Sequence, residues 1–132
     1  MMNNIYCKHY LLPNRSLLNN NDFKLFISNL KYPHYFDKDH ICLNIKDSIH
    51  YKILSKELPF ELYDKYITIT NQPEHSVEKY KNLINNFNIN KLESIKMQKF
   101  NDKYIIIDGC HRLAILSYLN NNNIEQYLSY IS

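Results

Sequence analysis

Apolar positions along the chain fall into helical and alternating runs, and these grow sharper toward the C-terminus. In the first forty residues the one periodic stretch is Phe23, Phe26, Ile27 and Leu30. That i, i+3, i+4, i+7 spacing predicts a short helix over 22–30, capped from Asn19 to Asn21 and ended by Pro33. The aromatic and polar segment Tyr32 to His40 reads as a loop lying over something apolar. Ile41 to Ile45 is a short strand, Ser48 to Leu54 fits either a strand or a turn of helix, and Glu57 to Glu61 is a turn. Lys65-Tyr-Ile-Thr-Ile-Thr70 is β-branched and aromatic, which predicts a strand. A connection over 71–76 ends in Ser76, a plausible N-cap, with Glu78 well placed for the helix dipole. The helix it opens runs over 77–87 with Val77, Tyr80, Leu83, Ile84 and Phe87 on one face, and the asparagines of 85–90 break it.

Ser94 to Phe100 then alternates with period two, Asn101-Asp102 is a two-residue turn, and Lys103 to Asp108 is a second strand, making the best hairpin in the chain. Consecutive apolar residues in that second strand are expected when both faces are buried. The hairpin runs into Gly109-Cys-His-Arg112 and an apolar helix from Leu113 to Leu119, stopped by Asn120 to Asn123. The last nine residues suit a closing strand. Together these elements predict an α+β fold, a mixed sheet with a few packed helices.

Composition narrows the class. At 132 residues the chain is a single domain, large enough to bury about two thirds of its unfolded surface without staples. With 45% hydrophobic and 22% charged residues it is not disordered by composition. A net charge of +3, spread without runs, is a weak argument for nucleic acid or membrane partners. Three cysteines without C-x-x-C spacing argue against both a disulfide framework and a zinc site. No apolar run approaches a membrane span and no leader pattern opens the chain, so a cytoplasmic protein is expected.

Glycine occurs once, at Gly109, alanine once, at Ala114, and arginine twice, at Arg15 and Arg112, against nineteen asparagines. Such usage follows AT-rich codons, a bias compatible with a large DNA virus, a low-GC bacterium or a protist. Yet three of those four residues fall within 109 to 114, where something resists replacement. A strand that delivers a glycine turn to the start of a helix is an anion-binding geometry. The first N–H groups of a helix lie outside its hydrogen-bond ladder, the dipole is positive there, and glycine lets an oxyanion approach the backbone. Arg112 adds a guanidinium fork suited to phosphate, and His111 a second donor. On the structural side, Gly109 is a tight turn, Arg112 is solvated and Asp108 is a cap.

Ile107-Asp-Gly-Cys-His-Arg-Leu-Ala-Ile-Leu116, after a hairpin and some thirty residues beyond a helix, resembles the ParB/sulfiredoxin superfamily, whose D-G-x-H-R or G-G-C-H-R signature holds nucleotide phosphates on a strand-to-helix turn. The resemblance covers roughly Tyr66 to Leu119. It divides the single domain 1–132 into a variable part, 1–61, and a ParB/sulfiredoxin-like core, 62–132. It implies a nucleotide held by Gly109, Cys110, His111 and Arg112, with Ser76 and Lys79 reaching phosphates from the preceding helix.

The branches of that superfamily differ in chemistry. Asp108 matches the branch that contains free-serine kinases, where an acidic residue after a proline is the general base. Pro73-Glu74 fits inexactly, because Glu74 follows the proline directly and His75 comes next. This reading is an ATP-dependent phosphotransferase acting on a hydroxyl of a small molecule. Glu74 takes the proton, phosphate-bound Mg²⁺ neutralises charge, Asp108 orients acceptor or metal waters, and His50, Tyr51 and His75 line the acceptor side. Cys110 stands where sulfiredoxins carry their nucleophile, and a thiol beside His and Arg at a helix N-terminus favours the thiolate. A sulfinic acid reductase is therefore an alternative. A third is a ParB-like nucleotide or nucleic-acid-binding module without catalysis, although no helix-turn-helix follows Leu119 and the charge is modest.

Overall fold

The structure, a computed structural model, describes residues 5–10, 34–37, 40–69, 72–88, 95–100, 103–119 and 128–130. The helix expected over 22–30, the Asn101-Asp102 turn and the Asn120 to Asn123 stop lie outside them. Six strands form one mixed sheet in the order β2-β3-β1-β5-β4-β6. They are β1 (Ile5–Tyr10), β2 (His34–Asp37), β3 (His40–Asn44), β4 (Ile95–Phe100), β5 (Lys103–Asp108) and β6 (Leu128–Tyr130). β1 runs parallel to β5 and β4 parallel to β6, while the β1–β3, β2–β3 and β4–β5 pairs are antiparallel. The α+β class with a mixed sheet is thus observed. The N-terminal part is no appendage, because β1 lies beside β5 in the middle of the sheet, in the register Cys7 to Ile106.

Four helices are described: α1 (Ile49–Leu54), α2 (Phe60–Ile69), α3 (Val77–Asn85) and α4 (Cys110–Leu119). None is long and apolar enough to cross a membrane. In α4 the residues from Leu113 to Ser117 are all buried, as expected of a helix covered on every side. Leu113, Ala114 and Leu116 pack on the sheet residues Ile5, Cys7, Ile95, Met97 and Ile106. Ile115 enters a second cluster with Ile49, Ile53, Leu62, Tyr63, Tyr66, Ile67 and Tyr80 of the other helices. α4 therefore lies between the sheet and an outer group of helices, which holds its N-terminus fixed at the end of β5.

Two expectations are corrected. Residues 65–70 do not form a strand, since all but Thr70, which lies outside the described residues, belong to α2. Leu62, Tyr63, Tyr66 and Ile67 recur at helical spacing and bury one face, and that burial outweighs the β preference of Tyr-Ile-Thr-Ile. The boundary drawn at residue 61 cuts through the same helix. Tyr32 to His40 is not simply a loop, because β2 and the start of β3 pair antiparallel there, with an irregularity between Tyr35 and Asp37.

The either-or at 48–54 resolves as helix. Ser48 caps α1 by accepting a hydrogen bond from Tyr51 N at 3.2 Å, while its own hydroxyl donates to Ile45 O at 2.7 Å. The β4–β5 hairpin and the strand near the C-terminus are present as expected. Ile105 and Ile106 are both buried, so β5 is covered on its two faces at that point.

Candidate functional site

β5 ends at Asp108, and Gly109 turns the chain into α4 with φ at +101°, a conformation that L side chains rarely adopt. Leu113 N donates to Gly109 O at 2.8 Å, which makes Gly109 the residue that caps α4. Cys110, His111 and Arg112 are consequently the first turn of the helix, three residues earlier than the apolar pattern suggests. A Cβ on Gly109 would lie 2.9 Å from Arg112 Nη2, 3.2 Å from Nε and 3.3 Å from Cζ. The arginine side chain thus folds back over the glycine, and its guanidinium sits across the mouth of its own helix. The sequence suggested that the missing Cβ made room for a ligand against the backbone. The atoms it makes room for are those of Arg112.

Beside this turn is a cavity of about 430 Å³, within the range of small-molecule sites. Gly109 lines it from the turn, Cys110, His111 and Arg112 from α4, His75 from the connection before α3, Lys79 from α3, and His50 from α1. The structure brings these seven predicted residues together. Lys8, Gln72, Tyr63, Tyr66, Tyr80 and Ile107 share the lining. The lining includes three basic side chains, Lys8, Lys79 and Arg112, and among the described residues no carboxylate. With the positive end of α4 added, the cavity favours anions.

Three predicted site residues have other places. Ser76 does not line the cavity; it caps α3, its Oγ accepting from Lys79 N at 3.1 Å. Tyr51 packs toward the sheet cluster and meets the ring of Tyr118 edge-on at 6.1 Å. Glu74 lies outside the lining with its side chain 65% exposed, its Oε1 3.7 Å from Nε2 of His75. Its backbone carbonyl accepts a hydrogen bond from Lys79 Nζ at 2.9 Å, which holds the lysine over the connection. The side chain of Asp108 lies outside the described residues.

Aromatic rings surround His111. Centroid separations are 4.4 Å to His50, 4.5 Å to His75, 4.9 Å to Tyr80 and 5.8 Å to Tyr63. The Tyr63 hydroxyl and His111 Nε2 share a hydrogen bond of 2.7 Å, in which the phenol donates when the imidazole carries its proton on Nδ1. Burial pushes the Tyr63 phenol far above its ordinary range. It does the same for Tyr80, with the neighbouring Tyr63 adding to the shift. Both stay protonated donors through neutral pH, and Tyr80 uses its proton to bond His50 O at 2.8 Å, tying α3 to α1. Among the described residues, no cluster of three or more His, Cys, Asp or Glu has the arrangement of a metal site.

The cysteines depart from expectation. Cys7 and Cys110 form a disulfide across 103 residues of sequence, with Cα atoms 5.9 Å apart. The sheet explains it: β1 and β5 are parallel neighbours with Cys7 beside Ile106, and Cys110 follows the end of β5 by two residues. His50 Nδ1 lies 3.8 Å from Cys110 Sγ. Cys42 is buried on β3. Comparison with family models, with curated proteins and with solved structures finds no match for this chain.

Proposed function

We propose that the protein is a small ATP-dependent phosphotransferase acting on a hydroxyl group, with the nucleotide phosphates held at the mouth of α4. The observation that carries this reading is the Arg112 guanidinium folded across the Gly109 turn, beside a cavity that also takes Lys8 and Lys79. Fork-shaped donors and a helix N-terminus match the oxygens of a phosphate chain. The D-G-x-H-R resemblance supports the same assignment. Mg²⁺ bound with the nucleotide would supply further charge neutralisation.

Transfer needs a base for the acceptor hydroxyl. Glu74 is not part of the cavity lining, but its neighbour His75 is, and the two side chains lie 3.7 Å apart. In this reading the His75 imidazole takes the proton as the acceptor oxygen bonds to phosphorus and the bridging oxygen of the nucleotide leaves with its electron pair. Glu74 then stabilises the imidazolium. Arg112, Lys8 and Lys79 hold the charge on the transferring oxygens.

A thermal-shift series with ATP, ADP, CTP and Mg²⁺ tests the site. Ligand at a hundred times its Kd stabilises by about 2.7 kcal/mol, roughly 10 °C for a domain of this size, and Arg112→Ala abolishes the shift. No shift with any nucleotide refutes the reading. The sulfinic acid reductase is a second reading, open to the chain once the Cys7–Cys110 bond is reduced and favoured by Cys110 lying in the same cavity beside His50. His75→Ala stops phosphotransfer and spares that reaction, whereas Cys110→Ser stops it and leaves phosphotransfer within a few fold.

A further inference from the structure

The Cys7–Cys110 disulfide is asymmetrically placed. Cys7 is fully buried on β1, between β3 and β5, whereas Cys110 is half-buried and lines the cavity. Of the two bonded residues, only Cys110 lines the cavity. It is the first residue of a ten-residue helix, and its Sγ has the buried His50 Nδ1 at 3.8 Å. The domain does not need the link for its core, since two buried clusters already join sheet and helices. Phosphotransfer makes no use of it either.

We propose that Cys7 and Cys110 are a reversible thiol–disulfide couple, exchanged with a small dithiol through the cavity, and that its state gates the anion site. A thiolate of the dithiol attacks Cys110 Sγ, and Cys7 leaves as a thiolate that takes up a proton. The second thiol then loses its proton and attacks the incoming sulfur. A cyclic disulfide departs and Cys110 is left as a thiolate. Two electrons pass from dithiol to protein, and a cyclic disulfide accepting them back reverses each step. The helix N-terminus and His50 favour Cys110 as a thiolate leaving group.

The gate rests on the phosphotransferase reading of the cavity. Oxidised, the first turn of α4 carries no charge from its cysteine. Reduced, it holds an anion of its own, competing for the same dipole and the same guanidinium. One added negative charge at that range weakens binding of a polyphosphate by about tenfold.

The test labels native protein with N-ethylmaleimide before and after dithiothreitol at neutral pH, locates the label by mass, and measures binding of inorganic triphosphate in both states. Expected are no label on the oxidised protein, label on Cys110 alone after reduction, recovery of the unlabelled form with oxidised dithiothreitol, and triphosphate bound about tenfold more weakly when reduced. Cys42, buried on β3, serves as the internal control. Labelling of all three cysteines together, or only in urea, overturns the couple, because reduction then requires unfolding. Equal triphosphate affinity in the two states overturns the gate. If triphosphate binds neither state, the phosphate site itself has failed and the gate with it, while the labelling pattern still decides the couple. Cys7→Ser, which leaves Cys110 permanently a thiol, should react with the maleimide about tenfold faster folded than in urea, and equal rates count against the assigned roles.

Discussion

Gly109→Ala should separate the two consequences of a single methyl group. The first is conformational: an L residue held at φ +101° costs about 1–3 kcal/mol, whatever space surrounds it. The second is steric. The new Cβ would stand 2.9 Å from Arg112 Nη2, closer than real Cβ atoms come, and the obstacle is the far end of a flexible side chain. The guanidinium swings aside at little cost in stability, but it leaves the helix mouth. An arginine contact to phosphate is worth about 1.5–3 kcal/mol, so triphosphate or ATP affinity should fall about 10- to 100-fold. Stability read from urea midpoints at constant slope should drop by about 2 kcal/mol, near 7 °C in Tm.

The double mutant with Arg112→Ala is decisive. Without the guanidinium the collision is gone and only the backbone cost remains. The two substitutions should then be additive in stability and strongly non-additive in binding, with the double mutant no weaker than Arg112→Ala alone. Additive binding losses would refute the claim that the glycine serves the arginine. Unchanged stability in Gly109→Ala would refute the backbone argument as well.

Other outcomes follow from the same contacts. Ser76→Ala removes the cap of α3 and should cost about 1 kcal/mol in urea titration while leaving nucleotide affinity unchanged, because Ser76 Oγ is engaged by Lys79 N. Tyr63→Phe should destabilise by about 1 kcal/mol and release His111, seen as a change in the tautomer reported by its ring ¹⁵N shifts. Tyr63 and Tyr80 have folded pKa values above the ordinary 10.0, so the native state keeps protons that the unfolded chain loses. Their contribution is intact below pH 10 and is lost as pH rises beyond it. Together they should steepen the loss by up to about 2.7 kcal/mol per pH unit, and each Tyr→Phe variant should remove about half of that slope.

The fold was readable wherever a residue's partners lie close in sequence. Ser76 and its helix, the 94–108 hairpin and the turn at Gly109 are governed by neighbours within a few positions, and the structure contains all three. Tyr63, Tyr66 and Ile67 were not readable, since nothing nearby says that their common face meets Ile53 and Tyr80. For a segment of β-branched and aromatic residues, that burial is the deciding term, and it is non-local. The central place of β1 was hidden for the same reason. Its partner in parallel pairing is about a hundred residues away, and a short alternating stretch does not announce a distant strand.

At the site the same division explains which residues were found. The turn from Gly109 to Arg112 declared itself through composition, being the chain's only glycine and one of its two arginines within four residues. Lys8, Tyr63 and Tyr80 carry no such mark in a chain with fourteen lysines and twelve tyrosines, although they form much of the wall. The Cys7–Cys110 link shows the limit from the other side. Counting three cysteines without close spacing gave no sign of this bond, because spacing informs only on local closure. The two residues that resisted replacement at 109 and 112 did so jointly. Arginine needs a position without Cβ to fold across the helix mouth, and glycine alone both adopts the required φ and leaves that space. The same coupling predicts that no single substitution at either position restores the site once the other is lost.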